Sequence, residues 1–214
     1  MALYPILINW QGLPCLIAGG GSLARRKAEL LCAQGAQVTV VAPDVCPSIA
    51  TLPVTVRQRR VTAEDVAGQF LVVDATGDAA AEQLLREACR AGHIPFNSAC
   101  RGEDTTAVFP AVHRQGRTVV AVSSTGASPA ASAWLRDKLA ERVPTQMDDV
   151  LACMARLRPL SRAYFDHQPT RCLFLHRCLD EMLTKERPLA PEEIEELRRA
   201  IEIEEGNTKE ERET

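Results

Sequence analysis

An α/β fold is expected: a parallel sheet with helices on both faces, then a small mixed region and a helical C-terminal part. Three features of the 214-residue sequence point to it. A short apolar run, Leu13 to Ala18, ends in Gly19-Gly20-Gly21 and passes directly into a stretch with helical spacing. The same order, β-branched run then helix-spaced run, recurs as far as residue 97. After Thr145 no strand-like segment remains. Alternating strands and helices with short connections make a parallel sheet with right-handed crossovers, so the first part is Rossmann-like.

The elements follow in order. LPCLIA is the first strand, and SLARRKAELLCAQG the first helix, with Leu23, Ala24, Lys27, Ala28, Leu30 and Leu31 on helical spacing and Gly35 closing it at the C′ position. AQVTVVA is a continuous β-branched run, expected of a strand covered on both faces. PVTVRQR (strand), TAEDVAG (short helix), FLVVDAT (buried strand), DAAAEQLLREACRAG (long helix) and HIPFN (strand) continue the alternation. TTAVFPAV and RTVVAVSS are predicted as two further strands joined by HRQGR, where Gly116 suits a hairpin turn. Ser128 and Pro129 are the N-cap and first residue of the helix PAASAWLRDKLAERV, which Pro144 stops. Helices are then predicted over DDVLACMARLRPLSRAYF, TRCLFLHRCLDEMLTK and PEEIEELRRAIEIEE. The expected divisions are 1–112 (Rossmann-like), 113–144 (mixed), 145–205 (helical) and 206–214 (a disordered tail).

Composition narrows the function classes. The chain is 46% hydrophobic and 25% charged, as globular proteins are, and a net charge of −3 gives no reason to expect a nucleic-acid partner. No run approaches the ~18 apolar residues of a membrane span, and the N-terminus lacks a signal-peptide pattern, so a cytoplasmic protein with no membrane partner is expected. Eight scattered cysteines without a CxxC pair read as free or buried thiols of a reducing compartment. Cys172 and His176 form an i, i+4 pair, but Cys178 faces elsewhere on the helix, so no metal site is expected.

Two stretches carry chemistry. GGGSLA at 19–24 fits G-x-G-x-x-A between a strand and a helix. Gly19 serves the tight turn, Gly21 the close approach of a pyrophosphate, and Ala24 the packing of helix on strand, while Ser22 and Leu23 lie in the first helical turn whose amides attract phosphate. Asp44, 23 residues after Gly21 and preceded by Pro43, lies where an acid accepts the ribose hydroxyls of NAD and repels the 2′-phosphate of NADP. Thr76 and Gly77 lie in a small-residue turn at the carboxyl edge of the fourth strand, where cofactor contacts are placed. In SSTGASP at 123–129, hydroxyls and amides at a helix start can orient an anion or take part in proton transfer.

With these residues in view, the sequence resembles the siroheme-synthesis dehydrogenases: precorrin-2 dehydrogenase and the bifunctional relatives that also insert iron into sirohydrochlorin. The resemblance runs from residue 4 to about 143, in YPILINWQGLPCLIAGGGSLARRKAELL, VVDATGD, NSAC followed by VFPAV, and VAVSSTGASPAASAWLRDKL. It implies an NAD-dependent oxidation of precorrin-2 to sirohydrochlorin by a homodimer whose middle region, here 113–144, is the subunit interface. The polycarboxylate tetrapyrrole gives Arg101, Arg117 and Arg136 a partner, with Asn97, Arg101 and Ser128 as substrate contacts. The family's functional serine maps onto Ser124. Its aspartate, a proposed general acid or base, maps onto Cys100, where this chain departs from the pattern. Cys100 could substitute as a thiol beside Arg101, Asp104 or Glu103 could fill the place, or hydride transfer could need positioning alone. Dehydrogenation without chelation is the expectation.

Overall fold

The structure, a computed structural model, describes residues 3–99 and 105–213, with side chains as far as Glu204. The chain folds as two compact units, residues 1–109 with 125–127, and residues 110–124 with 128–214.

The first unit is a five-stranded parallel sheet in the order β3-β2-β1-β4-β5, built from β1 (Pro14–Ala18), β2 (Gln37–Val41), β3 (Val54–Arg57), β4 (Leu71–Asp74) and β5 (Phe96–Ser98). This is the Rossmann-like sheet expected from the sequence. Cys15 to Ala18 of β1 are completely buried because β1 is central, paired with β2 on one side and β4 on the other. The period of two sorts their side chains. Cys15 and Ile17 pack with Ala24, Ala28 and Leu31 of α1 (Ser22–Ala33), whereas Leu16 and Ala18 pack with Leu85 and Cys89 of α2 (Ala79–Gly92). Helices therefore cover both faces, which is why these strands read as continuous apolar runs.

Helix α1 ends as its sequence predicts. The Gly35 amide donates to Cys32 O and the Ala36 amide to Leu31 O, with Gly35 at φ +84°, the paired bonds of a Schellman stop. A short 3₁₀ turn, Ala63–Val66, carries Asp65, whose carboxylate takes Arg57 and Arg59 and caps the Thr62 amide.

One expectation fails. TTAVFPAV is not a strand: β6 begins at Ala111 and runs to Gln115. Residues 105–107 lie beside β5 and are held by hydroxyls, with Thr106 Oγ1 accepting from the Phe96 amide and Thr105 Oγ1 from the Ser98 amide. These threonines occupy the donors that a neighbouring strand's carbonyls would take, and Pro110 brings no amide to a ladder.

In the second unit, β6 pairs antiparallel with β7 (Thr118–Val122) through a two-residue turn, Gly116-Arg117, with Gly116 at φ +54°. Asp148 accepts the Arg117 amide at 2.8 Å, and Gln115 donates to Pro144 O at 2.7 Å, so the hairpin is tied to the start of α4 (Met147–Tyr164). Helix α3 (Pro129–Ala140) buries only Ser132 and leaves Trp134, Leu135 and Leu139 exposed. A separate core of Val150, Cys153, Leu157, Phe174, Cys178 and Met182 joins α4 to α5 (Gln168–Lys185), with Ile201 from α6. Helix α6 spans Pro191–Glu213, so it takes in all but the last residue of 206–214, where the sequence suggests a disordered tail.

Candidate cofactor site at the carboxyl edge

Three glycines follow β1, and each faces a different constraint. Gly19 has φ +117°, and a Cβ there would overlap the Ala75 carbonyl. At Gly20 a Cβ would overlap the Asp44 carbonyl, and the Cys46 amide donates to Gly20 O at 2.8 Å. Around the Cβ direction of Gly21 no described atom lies within 4 Å. The turn is thus gripped between the loops after β2 and β4 and open at Gly21. Sequence reasoning missed Gly20, the x of the motif, whose need for glycine comes from a main chain 24 residues away.

Gly21 is the N-cap of α1, with no side-chain hydrogen bond and no acid in the first turn. The first-turn amides, Ser22 and Leu23 among them, lack intrahelical acceptors, and the helix dipole adds positive potential, so this end suits a phosphate. Arg25 is paired with Glu29, but Lys27 has no described carboxylate beside it; its ammonium stands 3.9 Å from the Phe109 ring centroid. Burial, helped by the charge of Arg26, lowers the Lys27 pKa.

Pro43 and Asp44 are exposed just past β2, and the main-chain carbonyl of Asp44 lies against Gly20. Thr76 donates from its amide (3.0 Å) and its hydroxyl (2.7 Å) to Asp74 Oδ1, and Gly77 takes φ +71° with open space at its Cβ position. Asp74, also missed, is 1% exposed, and its Oδ2 has no hydrogen-bond partner among the described residues. The signal for it is an acid ending an otherwise apolar four-residue strand.

Asn97 is buried in β5 and donates to Ala107 O at 2.8 Å, which ties the strand to the following segment. Cys100, Arg101, Glu103 and Asp104 lie outside the described residues. Ser124 and Ser128 belong to the second unit. Ser128 caps α3, accepting the Ala131 amide at 3.1 Å. Ser124 Oγ accepts the Ser128 amide (2.9 Å), donates to Ser128 O (3.0 Å) and meets Ser132 Oγ at 3.0 Å, a hydroxyl fully engaged in holding the turn. Of the other basic candidates, Arg136 is paired with Asp137, and the Arg117 amide rather than its guanidinium meets Asp148.

Thiol chemistry is not favoured at the described core cysteines: burial pushes Cys15 and Cys89 up to about 11 and Cys178 up to about 12. Among the described residues no cluster of His, Cys, Asp and Glu could hold a metal, and no helix is long and apolar enough to cross a membrane.

A nicotinamide-dinucleotide-binding α/β domain is the class this fold and edge define, and the sequence model of a putative NAD(P)-binding family matches residues 6–111. The siroheme synthase of Nitrosomonas eutropha is 31% identical over 84% of this chain and 39% of its own length, and that of Methylococcus capsulatus 33% identical over the same shares. A solved structure named SirC, precorrin-2 dehydrogenase, superposes with a TM-score of 0.66 at 25% identity, covering 94% of this chain and 99% of that one. Over most of its own length the chain is homologous to these siroheme synthases. It spans about two fifths of the length of these curated relatives.

Proposed function

We propose that this chain is an NAD-dependent precorrin-2 dehydrogenase, an oxidoreductase of siroheme biosynthesis that yields sirohydrochlorin. The observation that carries the reading is the glycine turn: Gly19 and Gly20 are locked against the backbones of Ala75 and Asp44, while Gly21 and the uncapped end of α1 are left open. A turn evolved only to reverse the chain has no need of an open third glycine over free amides. The names of SirC and of the siroheme synthases point to the same substrate class.

Residues 19–23 would hold the pyrophosphate, Asp44 the adenosine ribose, and Thr76 and Gly77 the far half of the dinucleotide. NAD is preferred to NADP on two grounds. The Asp44 carboxylate repels a 2′-phosphate, and Arg57 and Arg59 at the same edge are already engaged by Asp65, whose carboxyl Arg59 holds well below the usual range. Bound NAD supplies the hydride acceptor. The chain's own part is to orient the macrocycle and receive one proton, for which Cys100, Asp104 and Ser124 are the candidates, with Asn97, Arg101 and Ser128 as substrate contacts. Iron insertion is left out of the assignment because the carboxylate expected by family resemblance is replaced by Cys100.

In this reading the protein works as a homodimer through residues 113–144, in the cytoplasm. The exposed large apolar side chains Trp134, Leu135 and Leu139 on α3 support the dimer, since burying them on association is favourable. The test is NADH formation from precorrin-2 generated in situ. A purified chain that forms no NADH at saturating NAD sinks the assignment; Cys100→Ala and Asp104→Asn then rank the proton acceptors.

A further inference from the structure

Asp74 is a buried acid with half of its hydrogen-bonding capacity unused. It ends β4, in register with Ala18 of β1 and Ser98 of β5. Oδ1 accepts both donors of Thr76, yet Oδ2 has none among the described residues, at 1% residue exposure. No described cation is paired with it either. A buried acceptor without a donor is costly, so Asp74 calls for a donor from beyond the described residues, and a bound ligand is one source of it.

The order of the sheet identifies that ligand. Along the carboxyl edge, β2 leads to Asp44, β1 to the glycine turn, and β4 to Asp74. A dinucleotide with its adenosine ribose at Asp44 and its pyrophosphate over the glycine turn must run its nicotinamide half across the end of β4. The turn after Asp74 has room: Gly77 takes a positive φ with no described atom within 4 Å of its Cβ position. Nicotinamide brings what Asp74 lacks, a carboxamide N–H and, in the oxidised state only, a positive ring.

We propose that Asp74 contacts the nicotinamide half of the cofactor and makes the site hold NAD⁺ more tightly than NADH. The inference rests on the dinucleotide reading above and deepens it. Reduction removes the ring charge, so the attraction to a carboxylate is lost in NADH while every contact to the adenosine half is unchanged. A site biased in this way favours the oxidised cofactor that a substrate-oxidising enzyme must load.

The test is equilibrium binding of NAD⁺, NADH and ADP-ribose to the full chain and to Asp74→Asn, whose amide oxygen still accepts from Thr76. The wild type is expected to prefer NAD⁺ to NADH. The variant should lose about tenfold of that ratio, because the attraction to the oxidised ring goes with the carboxylate charge while a carboxamide hydrogen bond is common to both redox states, with ADP-ribose affinity unchanged. A wild type that binds NADH as tightly as NAD⁺, or tighter, overturns the proposal without any variant. So does a variant that binds ADP-ribose and keeps the wild-type ratio. Failure of the wild type to bind any of the three ligands sinks the dinucleotide reading itself, and this inference with it.

Discussion

Two of the strand-turn-helix passages in the chain differ in what they do with a helix start. At β1–α1 the N-cap is Gly21, no side chain among the described residues caps it, and the first-turn amides have no intrahelical acceptor. At β7–α3 the N-cap is Ser128, whose hydroxyl takes the Ala131 amide, while Ser124 and Ser132 close a network around the same turn. The second turn satisfies itself. The first gives up the stability a capping side chain supplies and leaves a place for an anion, which is the physical difference between a structural turn and a binding turn.

The largest effect should come from Gly20→Ala. Its Cβ would enter the Asp44 main chain, which cannot swing aside as a side-chain end can. Loss of about 3 kcal/mol of stability is expected, at the upper end of overpacking costs, together with loss of NADH binding. Urea unfolding and NADH fluorescence read the two; a stable variant with unchanged binding would mean the grip on the turn is not needed.

Gly21→Asp separates binding from stability. The backbone there, φ −87° and ψ −169°, is already that of a capping residue, and space for a side chain is open. The free chain should gain about 0.5 kcal/mol from the new cap and its charge at the helix N-terminus. Dinucleotide affinity should fall at least about 100-fold, because the carboxylate occupies and repels the phosphate position. A thermal melt with and without NAD shows both: a raised melting temperature that NAD no longer shifts. A variant still stabilised by NAD would remove the turn from the cofactor site.

How much of this contrast is legible in the sequence depends on how local its cause is. Gly19, Gly21, Ser128 and the Gly35 stop are readable because turn and cap chemistry acts over a few residues, and Asp44 is read from its spacing after the glycine motif. Gly20 is not, since its requirement is imposed by Asp44 across the sheet edge. Asp74 looks like the polar end of a strand until β1 and β5 close over it on both sides. TTAVFPAV misleads for a related reason. Its residues have strand propensity, but Thr105 and Thr106 use their hydroxyls on the β5 amides, and propensity does not record which partner a hydroxyl finds.

The smaller effects belong to the serine turn. Ser124→Ala should cost about 1–2 kcal/mol, because the Ser128 amide and the Ser132 hydroxyl both lose the partner that Ser124 Oγ provides. If Ser124 serves only the turn, NADH binding is unchanged and turnover falls no further than stability explains; a turnover loss far beyond that assigns it to proton transfer.

Ser128→Gly is the smallest change and the reciprocal of capping Gly21. It removes the hydroxyl that accepts the Ala131 amide and gives α3 the kind of start α1 already has. Glycine is itself a tolerated N-cap, so only a few tenths of a kcal/mol should be lost in urea unfolding. The informative measurement is anion binding at the new glycine cap, read as stabilisation by phosphate. None is expected, because Ser124 and Ser132 still fill the turn, whereas the α1 start is held open by main-chain contacts at Gly19 and Gly20. Phosphate stabilisation of Ser128→Gly equal to that of the wild-type glycine turn would show that an uncapped helix end is sufficient, and that the gripped glycines are not what makes the first turn a site.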